Sequence, residues 1–195
     1  MPPKAKITKD MVVDAAFDIV RMEGETKITA RHISEQLKCS TQPVLYYFST
    51  VEEIRKAVYQ KADSYHTDYI MNLNGCFENP LLMIGINYIR FAKEESNLFR
   101  FLFQSNEFSG ASIADLIDSE ELSPIISVFQ QEMGVSLSEA KEIFHTLFIY
   151  IHGYASLYAN NTMVYDEKKL ITTLTKILHG AVYVAKESNN EEIIW

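Results

Sequence analysis

The chain has 195 residues, of which 47% are hydrophobic and 23% charged, and its formal net charge is −8. This apolar content is enough to bury a substantial core, which excludes a predominantly disordered chain. Two cysteines, Cys39 and Cys76, are too few for a disulfide framework. The most apolar run, 143–159, is interrupted by histidines and a glycine, so we expect a buried helix there and no membrane span. Because no apolar signal-type stretch follows the first residues, we expect a cytoplasmic protein.

The charge is distributed unevenly along the chain. Residues 1–61 carry ten Lys or Arg against eight Asp or Glu, whereas residues 62–195 carry eight against eighteen. Three lysines near the start, Lys4, Lys6 and Lys9, form a basic N-terminal arm. The first part therefore permits a nucleic acid as partner, and the acidity belongs to the second part. We predict two domains with these bounds.

Helical periodicity dominates the whole sequence. Apolar residues recur at spacings of three and four, and the alternation typical of strands is absent. The first helix is predicted from its N-cap at Thr8 to Glu23, with Gly24 as its stop. Further helix starts are predicted from local capping signals at Thr50 with Glu53, Asn79-Pro80, Ser123-Pro124, Ser136 with Glu139, and Asp166. The predicted fold is all-α, with a small N-terminal unit and a larger C-terminal helical domain.

Residues 28–48 predict a helix-turn-helix. Thr29 caps a short helix that extends to Leu37, and Lys38-Cys39 makes a turn. Ser40 or Thr41 then caps a second short helix, in which Pro43 falls in the first turn and costs little. Such a pair of helices can present its second member to the major groove of DNA while the first braces it.

Several of these residues keep a fixed spacing that resembles the TetR/AcrR family of bacterial transcriptional regulators. The matching positions are Thr29, Ile33, Ser34, Leu37, Cys39, Ser40, Tyr47 and Phe48. The match covers about residues 7–60, and beyond it only the number and lengths of the helices agree. The resemblance implies a ligand-responsive repressor that binds double-stranded, palindromic operator DNA as a homodimer. It also implies a second domain that binds a small-molecule effector and forms the dimer interface.

The resemblance also implies which side chains bind DNA. The recognition helix would be Thr41 to Tyr47, with Thr41 and Gln42 facing the bases and Tyr46 or Tyr47 holding the backbone. Thr29 would meet a phosphate, and Arg31 a base edge or the backbone. The candidate DNA-binding residues are thus Thr29, Arg31, Ser40, Thr41, Gln42, Tyr46 and Tyr47. Glutamine can pair bidentately with adenine and arginine with guanine, whereas hydroxyls position a helix without reading sequence.

Three positions depart from the family pattern. Lys38 stands where a glycine is usual and must tolerate an awkward backbone or shift the turn. Leu45 replaces a tyrosine, so the phosphate contact is expected to pass to Tyr46. Val51 replaces a common lysine and removes one expected phosphate contact. For Tyr46 and Tyr47, packing in the core remains an alternative role.

The second domain is rich in aromatic residues, most of which are expected in its core. An apolar bundle of this kind offers a pocket with a few polar contacts for an effector. Asn87, His145 and Tyr154 are the candidate ligand-binding residues. The last two long helices carry Gly153 and Gly180, which would let helices approach closely in a homodimer interface.

The alternative interpretation is a helical adaptor that keeps the fold but contacts proteins instead of DNA. The weak basic charge and Val51 motivate it. No nucleophile motif or glycine-rich phosphate loop indicates an enzyme, and no cofactor is expected. Glu142 and His145 have the spacing of a metal-binding helix, but a single pair is expected to be structural. Cys39 is expected to be a small packed thiol and not a redox switch.

Overall fold

The computed structural model describes residues 7–73, 79–105, 117–161 and 163–187. Within these ranges the regular structure is helical and contains no strand, which confirms the predicted all-α class. None of the described helices is both long enough and apolar enough to cross a membrane. The helices are α1 (Lys9–Glu23), α2 (Ala30–Gln36), α3 (Gln42–Tyr47), α4 (Val51–Ile70), α5 (Pro80–Glu94), α6 (Ser96–Phe103), α7 (Ser123–Met133), α8 (Leu137–Asn160) and α9 (Glu167–Glu187).

Contacts among the described residues form two compact units. The first unit contains residues 7–68 and 95–105, and the second contains 69–94 and 117–187. The division predicted from charge, at residue 61, falls inside α4. Helix α6 belongs to the first unit although it follows α5 of the second, so the chain returns to a unit that it had already left.

Helix α1 has the ends that its sequence predicts. The Thr8 side chain accepts a hydrogen bond from the Met11 N–H at 3.2 Å. Gly24, with a φ of +93°, ends the helix and donates its N–H to the Val20 carbonyl oxygen. The buried face of α1 consists of Val12, Ala15, Ala16, Phe17, Ile19 and Val20. This face makes α1 the central support of the first unit.

Helix α2 and the turn after it also follow from local signals. The Thr29 hydroxyl oxygen accepts the His32 N–H at 3.1 Å, and Ile33 is fully buried. Lys38 has a φ of +53°, so the awkward backbone expected at this position is present. The Cys39 N–H donates to the Ser34 carbonyl oxygen at 2.9 Å and closes the turn.

Helix α6 is fixed to α1 by both apolar and polar contacts. Its buried residues include Leu98, Phe99, Phe101 and Leu102. At its start, Asn97 donates an amide hydrogen to the Arg21 carbonyl oxygen at 3.0 Å. Because these contacts join segments far apart in sequence, the position of α6 could not be read from its own pattern.

The second unit is built around α5, which packs against α7, α8 and α9. Ten consecutive or near-consecutive residues of α5 are buried, as expected for a central helix. At Gly85 an added Cβ would lie 2.9 Å from the Ile151 side chain, so α5 and α8 approach closely there. Asn87 is buried and donates its amide hydrogens to the carbonyl oxygens of Ile70 and Asn72, at 3.2 and 3.0 Å. It therefore holds the C-terminal end of α4.

The predicted caps of the later helices are present, with changes at α7 and α4. Helix α7 begins at Ser123 itself, so Leu122 occupies the N-cap position and no side chain caps the helix. Ser136 and Glu139 form the reciprocal capping box of α8, and Gly134 ends α7 in the left-handed region. At α4 the Thr50 side chain accepts the Glu53 N–H, but Glu53 reaches back to the Ser49 N–H and not to that of Thr50. Cys76 lies outside the described residues.

Candidate functional site

The exposed face of α3 contains the residues that the sequence assigns to base contacts. Thr41, Gln42 and Tyr46 are exposed, whereas Val44 and Phe48 on the opposite face are buried. A helix of only six residues is rarely stable alone, so the two buried side chains fix its orientation through the core. The polar face therefore lies outward on a rigid support.

The start of α3 differs from its prediction. Thr41 occupies the N-cap position, but its backbone is already helical and its side chain makes no capping hydrogen bond. The expected cap by Ser40 or Thr41 is wrong in this respect, since Pro43 removes one of the N–H groups that a cap would satisfy. Both residues are exposed.

Thr29, the N-cap of α2, and Arg31, in the first turn of α2, have different hydrogen-bond partners. The Thr29 hydroxyl oxygen accepts the His32 N–H, which leaves its own hydrogen available as a donor. The Arg31 guanidinium pairs with the Glu35 carboxylate at 2.9 Å, and both side chains are exposed. Exposed pairs one helical turn apart contribute little, so an arriving phosphate could replace Glu35.

The two tyrosines of α3 have different surroundings. Tyr46 is 83% exposed, and its ring meets that of Tyr47 edge to face at a centroid distance of 5.0 Å. Tyr47 is half-buried and donates its hydroxyl hydrogen to the Ile7 carbonyl oxygen at 3.1 Å. A phenol has a single hydrogen to donate, so Tyr46 is the better placed of the two for a phosphate oxygen.

Some acidic side chains of the first unit are paired with basic ones. Asp14 pairs with Lys61, and Glu25 pairs with Arg55 at 2.5 Å. Exposed lysines remain near the two short helices, at Lys27, Lys38 and Lys56. The positive charge of this unit therefore includes exposed lysines close in sequence to the two short helices, while part of its negative charge is paired.

The candidate ligand residues of the second unit lie in different surroundings. Asn87 is buried, and its side-chain oxygen also accepts a hydrogen bond from Arg90 at 3.3 Å. His145 is exposed on α8. Tyr154 is half-buried in a row of tyrosine rings, with centroid distances of 5.0 Å to Tyr150 and 6.2 Å to Tyr158. Asn87 is thus occupied by the backbone at the end of α4.

A polar pair that the sequence did not indicate lies in the apolar interior of the second unit. The Tyr88 hydroxyl lies 2.9 Å from His152 Nδ1, and the centroid of the Phe148 ring lies 5.5 Å from that of the His152 ring, with the two planes tilted by 34°. Burial lowers the pKa of His152 and raises that of Tyr88 well above its ordinary value. Both groups are thus neutral near pH 7 and suited to hydrogen bonding.

The outer faces of α8 and α9 combine open glycines with exposed apolar residues. At Gly153 and Gly180 an added Cβ would meet no atom within 4 Å. The exposed apolar residues of the two helices include Leu137, Ile149, Leu157, Tyr183 and Val184. In the described part of the chain, no group of three or more His, Cys, Asp or Glu is arranged to hold a metal ion, Glu142 and His145 included.

No protein-family model matches the chain, and no curated protein matches it significantly.

Proposed function

We propose that the protein is a DNA-binding transcriptional regulator that acts as a ligand-responsive repressor on a palindromic operator. The observation that carries the proposal is the exposed polar face of α3, which is supported by the buried residues Val44 and Phe48. A short, rigidly supported helix with its polar side chains outward fits the width of the major groove. The spacing of residues in 28–48, described above, is the second support.

The proposed DNA contacts divide into two kinds. Gln42 and Thr41 read base edges, because an amide can pair with adenine and a threonine methyl can touch that of thymine. Thr29, Ser40 and Tyr46 donate hydroxyl hydrogens to phosphate oxygens and set the register. Arg31 leaves Glu35 and binds a phosphate or a guanine.

The proposed homodimer forms through the outer faces of α8 and α9. Gly153 and Gly180 would let the helices of a second copy approach closely, and the exposed apolar side chains beside them would be buried. A palindromic operator then requires the two α3 helices to lie about 34–36 Å apart, one turn of the DNA.

The proposed effector site is in the second unit, beside Tyr88 and His152. An apolar small molecule with one polar group would bind the aromatic side chains and exchange hydrogen bonds with this pair. Movement of α5 would be transmitted through Asn87 to the end of α4, a single helix that begins at Val51 directly after the α3 segment. A coupling of about 1–3 kcal/mol would weaken DNA binding roughly 5- to 150-fold.

Selection of bound fragments from sheared genomic DNA, followed by gel-shift titration, tests the proposal. We expect sequence-selective binding that weakens steeply as salt increases. A Thr41→Ala/Gln42→Ala variant should lose the selectivity, whereas Gln131→Ala, an exposed residue of α7, should bind as the unmodified protein does. Absence of salt-sensitive, selective binding would exclude the proposed function.

The alternative function is a helical adaptor for protein partners. Leu45 is 52% exposed and Val51 is 41% exposed, so two apolar residues lie on or beside the surface assigned to DNA. An affinity purification that recovers a stoichiometric protein partner, together with absent DNA binding, would favour this function. Loss of that partner in Leu45→Glu would assign its docking surface to α3.

A further inference from the structure

A hydrogen bond joins the end of α3 to the start of α1, across 40 positions of the chain. Tyr47, the last residue of α3, donates its hydroxyl hydrogen to the Ile7 carbonyl oxygen at 3.1 Å. Ile7 precedes Thr8, the N-cap of α1, so its carbonyl oxygen lies outside the hydrogen bonds of that helix. Because Ile7 and Tyr47 are both half-buried, the bond links α3 to the backbone beside the supporting helix of the first unit.

A second contact joins the same two helix ends. The Lys9 ammonium lies 5.3 Å from the centroid of the Phe48 ring, within the range of a cation–π interaction. Phe48 is buried in the core and is therefore a rigid partner. The end of α3 is thus held to the start of α1 by two side chains, whereas no side chain caps the start of α3.

The hydrogen bond restricts a motion that the core packing of α3 leaves open. Val44 and Phe48, four positions apart, lie in one row along the buried side of α3. A short helix that is held by one row of side chains can roll about that row. Tyr47 lies about 100° around the helix from Phe48, because one turn contains 3.6 residues. Its hydroxyl therefore holds α3 from a second side and resists the roll.

A roll of α3 would displace the side chains assigned to base contacts. Side-chain ends lie about 5–6 Å from a helix axis, so a roll of about 20° moves them by about 2 Å. Hydrogen-bond lengths vary over only about 0.5 Å. Such a displacement would separate the Gln42 amide from the base edge assigned to it, and the preference for a base would be lost.

We propose that Tyr47 is the positioning residue that fixes the rotation of α3, so that Gln42 and Thr41 face the bases. Its hydroxyl bonds the protein backbone, and this role takes the place of the DNA contact that the resemblance implies for Tyr47. The inference rests on the proposed DNA-binding function. Loss of the Tyr47 hydroxyl should therefore lower the selectivity for a base sequence more than the general affinity for DNA.

The test compares Tyr47→Phe with the matched variant Tyr46→Phe, since each removes one hydroxyl group from α3 and changes no charge. Gel-shift titration measures the affinity for a selected genomic fragment and for an unrelated fragment. Tyr47→Phe should reduce the ratio of the two affinities about 2- to 10-fold, the range that follows from one lost hydrogen bond. Tyr46→Phe should weaken both complexes equally and keep the ratio, because its hydroxyl is assigned to a phosphate.

Hydrogen exchange of the free protein measures the same anchor without DNA. Amide exchange in the peptide that contains α3 should become about 2- to 10-fold faster in Tyr47→Phe, while exchange in α9 stays unchanged. Unchanged exchange in α3 would overturn the inference and leave the proposed function standing. An unchanged affinity ratio in Tyr47→Phe would also overturn it, whether the two affinities fall together or stay as they are. If the unmodified protein bound no DNA fragment selectively, the proposed function would fail, and the inference with it.

Discussion

Arg21 and Glu95 are 74 residues apart and share two hydrogen bonds, one from Arg21 Nε to Glu95 Oε2 at 2.8 Å and one from Arg21 Nη2 to Oε1. Glu95 joins α5 to α6 and is only 8% exposed. The Tyr65 hydroxyl donates a third hydrogen bond to it at 3.1 Å. A buried carboxylate is thereby compensated from α1 and α4, and the start of α6 is fixed to both helices.

Arg21→Ala should lower the free energy of unfolding by about 1–3 kcal/mol, because Glu95 would remain buried with only the Tyr65 hydrogen bond. Urea unfolding monitored by circular dichroism measures the change. Arg31→Ala, which breaks an exposed pair on α2, should leave stability nearly unchanged. Equal effects of the two substitutions would contradict a stabilising role for the partly buried Arg21–Glu95 pair.

The stability of the first unit should fall as the pH falls from about 6.5 to about 4. Burial lowers the pKa of His66 to about 4, and its ring packs edge to face against Phe103. In the unfolded chain His66 takes up a proton below about 6.5, whereas in the folded chain it stays neutral until about 4. The unfolded state therefore binds more protons in this window and gains on the order of 3 kcal/mol.

His66→Phe should remove this part of the pH dependence. Unfolding by urea at several pH values between about 7 and 4.5 measures it. The control is His179→Phe, because His179 is exposed on α9. Parallel pH profiles for His66→Phe and the unmodified protein would show that another group carries the effect.

Gln42→Ala and Thr29→Ala should change DNA binding in different ways. Loss of the Gln42 amide should make the binding free energy for the selected fragment less favourable by about 1–3 kcal/mol. It should also relax the choice of base at one position. Loss of the Thr29 hydroxyl should weaken selected and unselected DNA to a similar extent, since a phosphate contact carries no sequence information. Competition gel shifts with point-substituted fragments separate the two, and a reversed pattern would exchange the assigned roles.

Gly153→Leu should disrupt the proposed homodimer without disturbing the single chain. Space at Gly153 is open within the chain, so the added side chain meets nothing unless a second copy lies there. Sedimentation equilibrium should show a lower mass at a given concentration. Gln131→Leu on α7 adds a similar apolar side chain to an exposed position and should keep the mass of the unmodified protein. An unchanged mass in Gly153→Leu would place any dimer interface elsewhere.

The helix ends could be predicted from sequence because their causes are local. Thr8, Thr29 and Ser136 each cap a helix with an oxygen that bonds a backbone N–H three positions later. Gly24 and Gly134 end helices through a positive φ. The return of α6 to the first unit could not be predicted in this way, because it depends on contacts between distant segments.

The features of the candidate site also differ in whether the sequence predicts them. Val44 and Phe48 are four positions apart and therefore lie on the same side of the helix, where both are buried. Gln42 lies on another side and is exposed, as the helical period predicts. The bond from Tyr47 to Ile7 joins positions that the chain brings together only on folding. Tyr88 and His152 likewise meet across 64 positions and carry no shared motif. The residues around His152 in the sequence therefore do not indicate that its partner is Tyr88.

The left-handed backbone at Lys38 has a consequence for the heat resistance of the protein. A side chain with a Cβ pays about 1–2 kcal/mol for this conformation, which glycine adopts freely. Replacement by glycine would therefore raise the melting temperature and remove one cation in the same step. Lysine at this position thus combines a positive charge with a backbone conformation that is unfavourable for it, and a single substitution would exchange that charge for tolerance to heat.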